Sequence, residues 1–195
     1  MERSELLTAI DAAFTAPYPG DPWLQGSFDG CEPSEEIGAF VGRTDWRDLD
    51  AAFLDVHSAA ISFFSEAGLR FFLPAYLCAD VRDELMTADP LFGLVHGFSE
   101  FGYDAPGEGI AHRSGGSVLL NPRRYGAMTW QDASRHRLSV FCREEATVIV
   151  QYLHHRRERD QLGLDTPSIN AALESFWALR ATSAPTRAEL DGFTR

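Results

Sequence analysis

Ser65-Glu66-Ala67-Gly68-Leu69-Arg70-Phe71-Phe72-Leu73-Pro74-Ala75-Tyr76-Leu77-Cys78-Ala79-Asp80 is the strongest apolar run of the chain. Ser65 supplies an N-cap oxygen, and Glu66 puts a carboxylate in the first turn, where free amides and the macrodipole favour it. Leu69, Phe72, Leu73, Tyr76 and Leu77 recur at helical spacing, so a helix is expected from Glu66 to about Asp83. Pro74 lies inside it and should bend it or remove one hydrogen bond.

The flanks carry the same period. Leu6, Leu7, Ile10, Ala13 and Phe14 make one face of a helix over 3–15, and Pro17-Tyr18-Pro19-Gly20-Asp21-Pro22 ends it. Ser34 is positioned to cap a short helix bearing Ile37, Phe40 and Val41, with Glu35 and Glu36 in its first turn. Asp45 is positioned to cap a further helix that turns Trp46, Leu49, Phe53 and Leu54 inward. Thr129-Trp130-Gln131-Asp132 is a capping box with Asp in the place of Glu, and helical periodicity then runs to about Asp160, as one helix or as two joined near Arg143. Thr166-Pro167 opens another helix, with Ile169, Ala172, Leu173, Phe176 and Trp177 as its apolar stripe and Pro185 at its end.

Residues 97–128 differ in composition. They hold seven of the 16 glycines, and a connection of this length in a small domain is usually functional or mobile. Ser117-Val118-Leu119-Leu120 is a candidate short strand, with Gly93-Leu94-Val95-His96 as its candidate partner. The expected architecture is therefore mainly α. It is a single-domain irregular helical bundle over 1–180, with 97–128 as a Gly-rich loop or short β-hairpin insertion and 181–195 as a loose tail.

Length and composition set the outer limits. The chain has 195 residues, 45% hydrophobic and 24% charged, which suits one globular domain and excludes collagen, low-complexity and disulfide-framework classes. No apolar run approaches the roughly 18 residues of a membrane span. The opening Met1-Glu2-Arg3-Ser4-Glu5 does not read as a secretory signal, so a cytoplasmic location is expected. Cys31, Cys78 and Cys142 form no C-x-x-C pair and are expected to be reduced thiols.

The net charge of −12 is unevenly spread. Residues 1–110 carry 20 Asp and Glu against five Arg, a balance of −15, whereas residues 111–195 are at +3. The chain has no lysine, a composition that resembles GC-rich bacterial coding, and Arg permits bidentate ion pairs. One reading is that the acidic half and the arginines between Arg113 and Arg159 neutralise each other within the fold. The other is a dipolar surface that binds a partner.

Catalytic signatures are missing from the local sequence. There is no G-x-S-x-G, Walker loop, dinucleotide fingerprint or H-E-x-x-H. His154 and His155 are adjacent and point apart on a helix, so they do not form an i, i+4 ligand pair. A calcium loop counted from Asp21 puts Gly26, Asp29 and Glu32 at positions six, nine and twelve. Positions three and five fall on Trp23 and Gln25, which excludes an EF-hand.

Tyr18-Pro19-Gly20-Asp21, Cys31, Glu35-Glu36-Ile37, Asp45-Trp46, Ile61-Ser62-Phe63-Phe64-Ser65 and Leu69-Arg70-Phe71-Phe72-Leu73-Pro74-Ala75-Tyr76-Leu77 form an ordered series. With Ala172-Leu173 and Phe176-Trp177, the series resembles a bacterial family of unknown function, domain of unknown function 6714, over most of 1–85 and 129–178. That resemblance implies a small, mainly helical cytoplasmic protein. It carries no activity and no catalytic residues.

The leading expectation is a non-enzymatic interaction protein, of the immunity or antitoxin-inhibitor kind, that covers a basic protein partner with its acidic half. Its candidate partner-binding residues are Asp21, Asp29, Glu32, Glu35, Glu36, Asp45 and Asp48. No cofactor and no membrane are expected. A metal-assisted hydrolase using the 29–36 carboxylates is the alternative. Nucleic-acid association through Arg123, Arg124, Arg135, Arg137, Arg156 and Arg157 is the third reading, and the overall acidity opposes it.

Overall fold

The run that begins at Ser65 forms the central helix. The computed structural model describes residues 1–26, 34–99, 101–104, 111–114 and 128–193. Its helices are α1 (Arg3–Ala13), α2 (Ser34–Gly38), α3 (Ala51–Val56), α4 (Ala60–Phe63), α5 (Glu66–Val81), α6 (Pro90–Val95), α7 (Trp130–Leu138), α8 (Arg143–Arg159), α9 (Thr166–Ala172), α10 (Ala178–Ser183) and α11 (Arg187–Phe193). Short 3-10 turns occur at Asp21–Trp23 and Trp46–Asp48, and a π-helical turn at Leu173–Trp177 joins α9 to α10. The fold is mainly α, and no helix among the described residues is long and apolar enough to cross a membrane.

Ser65 caps α5 by accepting from Gly68 N at 3.0 Å. Twelve residues of the helix are buried, on every face, as a central helix requires. Pro74 is among them, within a continuous helix. Gly68 is required by a close approach, because a Cβ there would lie 2.6 Å from the Leu24 carbonyl oxygen. The far end closes with paired backbone bonds, Glu84 N to Ala79 O and Asp83 N to Asp80 O, around Asp83 at φ 61°. This is a Schellman motif with Asp in the left-handed position that usually favours Gly.

α1 packs against both α5 and α8, and α8 packs against α9, the π-helical turn and α10. Two polar ties link α5 to α8. Arg70 donates from Nε to both oxygens of the fully buried Glu145 at 2.9 Å, and Glu145 also accepts from Cys142 N to complete the cap of α8. Asp80 accepts from Tyr152 Oη at 2.6 Å and from Arg156 at 2.5 Å. The ties follow the same order along both helices, as in a parallel pair. At the other side of the core, Phe40 meets Phe53, Phe64 and Phe72 edge-on at 4.9–5.0 Å.

Several local expectations are met. Thr129 and Asp132 form the reciprocal box, and the pattern after it divides into α7 and α8 near Arg143. Others differ. Gly93–Val95 is helical, because Asp89 accepts from Leu91 N and Pro90 occupies the first turn, a start signal stronger than a short β-prone run. The antiparallel strands are Phe101–Asp104 and Ala111–Ser114, and Ser117–Leu120 lies outside the described residues. The stretch after Asp45 is split, with Asp45 capping the 3-10 turn and Asp50 capping α3 through Phe53 N at 2.8 Å. In the stretch from 181, expected to be loose, residues 181–183 end α10 and Arg187–Phe193 form α11. Arg143 N and Nε hold the carbonyls of Pro185 and Ala184, and Arg187 bonds Glu144 and the Ala13 carbonyl.

Candidate functional site

The acidic candidates gather on the segment that follows α2. Residues 34–55 carry six Asp and Glu against two Arg. Phe40 anchors the segment in the core, and this leaves its polar residues outward. Asp21 joins it from the preceding loop by accepting from Gly42 N at 2.9 Å and from the Tyr18 hydroxyl. The Tyr18 bond, then the Gly42 amide, holds the Asp21 carboxyl below its ordinary range. Glu36 lies 3.7 Å from His57 Nδ1.

Asp45 accepts from Arg47 N at 3.0 Å and lies 3.5 Å from the Arg47 guanidinium. Arg47 also pairs with Asp11 of α1 at 2.5 Å and lies over the Trp46 ring at 4.3 Å, so a planar guanidinium is clamped between ring and carboxylates. Asp48 makes no side-chain hydrogen bond or ion pair among the described residues and faces a cleft. The cleft has a volume of about 500 Å³, with Asp11, Asp48, Asp50 and Glu84 on its walls beside Arg47 and Arg82, and Leu7, Ala75, Cys78 and Ala79 among its apolar lining. Burial raises the Cys78 thiol to about 11, which keeps it protonated near neutral pH.

The structure thus brings Asp21, Glu36, Asp45 and Asp48 onto one acidic segment. Asp29 and Glu32 lie outside the described residues, as does the side chain of Glu35. Asp11, Asp50 and Glu84 were not anticipated. Asp11 sits on the polar face of α1, a signal visible in its period, but the pairing of that face with residue 47 is a tertiary fact.

The basic stretch has a different fate. Arg135 donates to Ser175 O, Arg137 to Ile61 O, Arg156 to Asp80 and Arg157 to Asn170 Oδ1. Each described arginine of the nucleic-acid reading is therefore engaged inside the chain, while Arg123 and Arg124 lie outside the described residues. Among the described residues no group of three or more His, Cys, Asp or Glu side chains is placed to hold a metal ion. The chain matches no family model, no curated protein sequence and no solved structure.

Proposed function

We propose that the protein is a non-enzymatic binding protein that covers a basic protein partner with its acidic segment, in the manner of an immunity or antitoxin-type inhibitor. The observation that supports this most directly is the difference in how the two signs of charge are used. The described arginines of the second half are tied to carbonyls and carboxylates of the fold, whereas Asp48 is exposed with no side-chain bond among the described residues, and Asp45 and Asp50 are exposed beside it while bonding within their own segment. An excess of exposed carboxylate raises the rate of encounter with a cationic protein far more than it raises fold stability.

The test is affinity capture from the native host with wild type and with Asp48→Arg, at low and high salt. A stoichiometric basic protein is expected on wild type at low salt. It is expected to leave at high salt and to bind the variant with an association rate lower by about tenfold. Capture that is equal for both proteins and indifferent to salt overturns the assignment of the surface.

A further inference from the structure

We propose that the junction between α6 and α7 is an acid-sensitive clasp, closed while His96 is neutral and loosened when His96 takes a proton. The proposal goes beyond the acidic-segment reading and uses none of its residues. The geometry begins on α7, where Trp130, Ser134 and Arg137 are spaced by four and three residues and so share one helix face. Each reaches a different point on the elements opposite. The Trp130 ring meets the His96 ring edge-on at 4.9 Å, Ser134 Oγ donates to the His96 carbonyl at 2.7 Å, and Arg137 donates to the Ile61 carbonyl of α4. α6 also packs on α4, where a Cβ on Gly93 would come within 2.9 Å of Ile61 Cγ2. Gly97 completes the contact. Its φ is 87°, and a Cβ there would lie 2.5 Å from Ser134 Oγ and 2.8 Å from the Trp130 carbonyl oxygen. The clasp joins the two flanks of residues 100–127, because His96 and Gly97 precede that stretch and Trp130 follows it.

His96 is the titratable member of this contact. Its ring is partly buried, with the Phe92 ring at 4.6 Å, and makes no hydrogen bond or ion pair among the described residues. None of the elements around it supplies an acid to hold a charged imidazole. α4 and α9, which both pack on α6, carry no ionisable side chain. On α5, Arg70 and Asp80 are paired with α8, and Glu66 is exposed and acts on Arg137. On α7, Asp132 is engaged in the Thr129 cap, Arg135 bonds the Ser175 carbonyl, and His136 is exposed. Asp89 caps the other end of α6. The charge that does bear on His96 is the like charge of Arg137, which a guanidinium keeps at every working pH. Burial first, and then Arg137, hold the His96 imidazole below the ordinary histidine value of 6.5.

A proton on His96 sets imidazolium against guanidinium within a partly buried joint. The closed joint therefore takes the proton less readily than an opened one, in which His96 regains its ordinary affinity. The clasp is at full strength above about pH 6.5 and weakens as the pH falls from there through the lower value of the closed form. Histidine is the side chain that places such a change in the mildly acidic range.

Amide hydrogen exchange on the full chain at about pH 7.5 and about pH 5, corrected for intrinsic rates, reads the clasp. Peptides over 91–98 and 130–137 are expected to exchange at least roughly threefold faster at the lower pH, with those of α5 unchanged. His96→Gln, which keeps a polar side chain there but does not titrate, is expected to abolish the difference. Equal exchange at both pH values in wild type overturns the proposal, and so does a pH dependence that survives in His96→Gln. A second measurement needs no variant. The assigned ring resonances of His96, followed by NMR, are expected to titrate with a midpoint below the ordinary histidine value. A midpoint at or above that value overturns the proposal, because it shows the Phe92 and Trp130 rings holding the charged form by cation–π contact.

Discussion

The acidic segment over 34–50 and the apolar end around Asp83 and Asp160 carry charge for opposite purposes. At the apolar end the carboxylates are spent on the fold. Asp80 holds Tyr152 and Arg156, Asp83 holds Arg3 and Arg159, and Asp160 holds the backbone of its own loop. Leu162, Leu164 and Met86 are exposed beside these paired charges. On the acidic segment Phe40 and Trp46 are buried, Val41 is half exposed, and Asp48 is exposed with no bond to the fold. The contrast shows that a charge count along the sequence does not measure available charge. Availability depends on whether the fold has already supplied a partner.

Four measurements test that contrast, from the largest effect downward. Asp80→Ala removes the partner of a buried hydroxyl and of a mostly buried guanidinium. It should cost about 3 kcal/mol, which for a chain of this size is roughly 6–12 °C in a thermal melt. A loss under about 1 kcal/mol would show that the charges of the apolar end are not structural after all. Asp55→Ala removes the acceptor for Met86 N, Thr87 N and Ala88 N beneath the same end, and should cost about 1 to 2 kcal/mol in urea unfolding.

Asp55 also gives a pH signature. Partial burial pulls its pKa up, but the amides of Ala88, Thr87 and Met86 outweigh that and lower it from 3.8 to about 2. A depressed carboxylate stabilises the native state above its unfolded pKa, and that contribution is lost as pH falls through the folded value. Wild type should therefore shed this stability between about pH 4 and pH 2. Asp55→Ala should show a shallower acid limb over the same window.

The third measurement varies the salt. Binding of a basic partner to the acidic segment should weaken as salt screens the attraction. Binding that is indifferent to salt would remove the acidic segment from the interface. The smallest effect is Asp48→Arg on stability. With no bond to lose, it should move the melting free energy by no more than about 0.5 kcal/mol. A larger change would reveal a fold contact at Asp48 and remove it from the free acidic set.

The legible parts of the fold were those decided within a turn or two of chain. Ser65 before Gly68, Thr129 before Asp132 and Asp45 before Arg47 all start helical turns through contacts three or fewer residues long. The apolar stripes of α1, α5, α8 and α9 were readable for the same reason. Where a local signal failed, a longer bond had won. The expected cap at Thr166 is itself held by Asp160, six residues upstream, and the tail after Pro185 is held by Arg143 and Glu144. Of the candidate site, the acidic set that includes Asp21, Glu36, Asp45 and Asp48 was legible in the charge pattern. Its union with Asp11, Asp50 and Glu84 around one cleft was not, since nothing in the spacing of those residues encodes a shared wall.

By itself, then, the sequence determined the helical class, the position of the buried central helix and the imbalance of charge between the two halves. Those properties follow from period, capping chemistry and composition, which act locally or additively. Tertiary structure alone decided which charges are free. An arginine that finds a carbonyl or a carboxylate across the core is withdrawn from the surface, and Arg137 at the Ile61 carbonyl and Arg70 at Glu145 do so over more than seventy residues of chain. The desolvation of buried polar groups makes such pairing obligatory, and only the packed arrangement of helices sets which partner lies within reach.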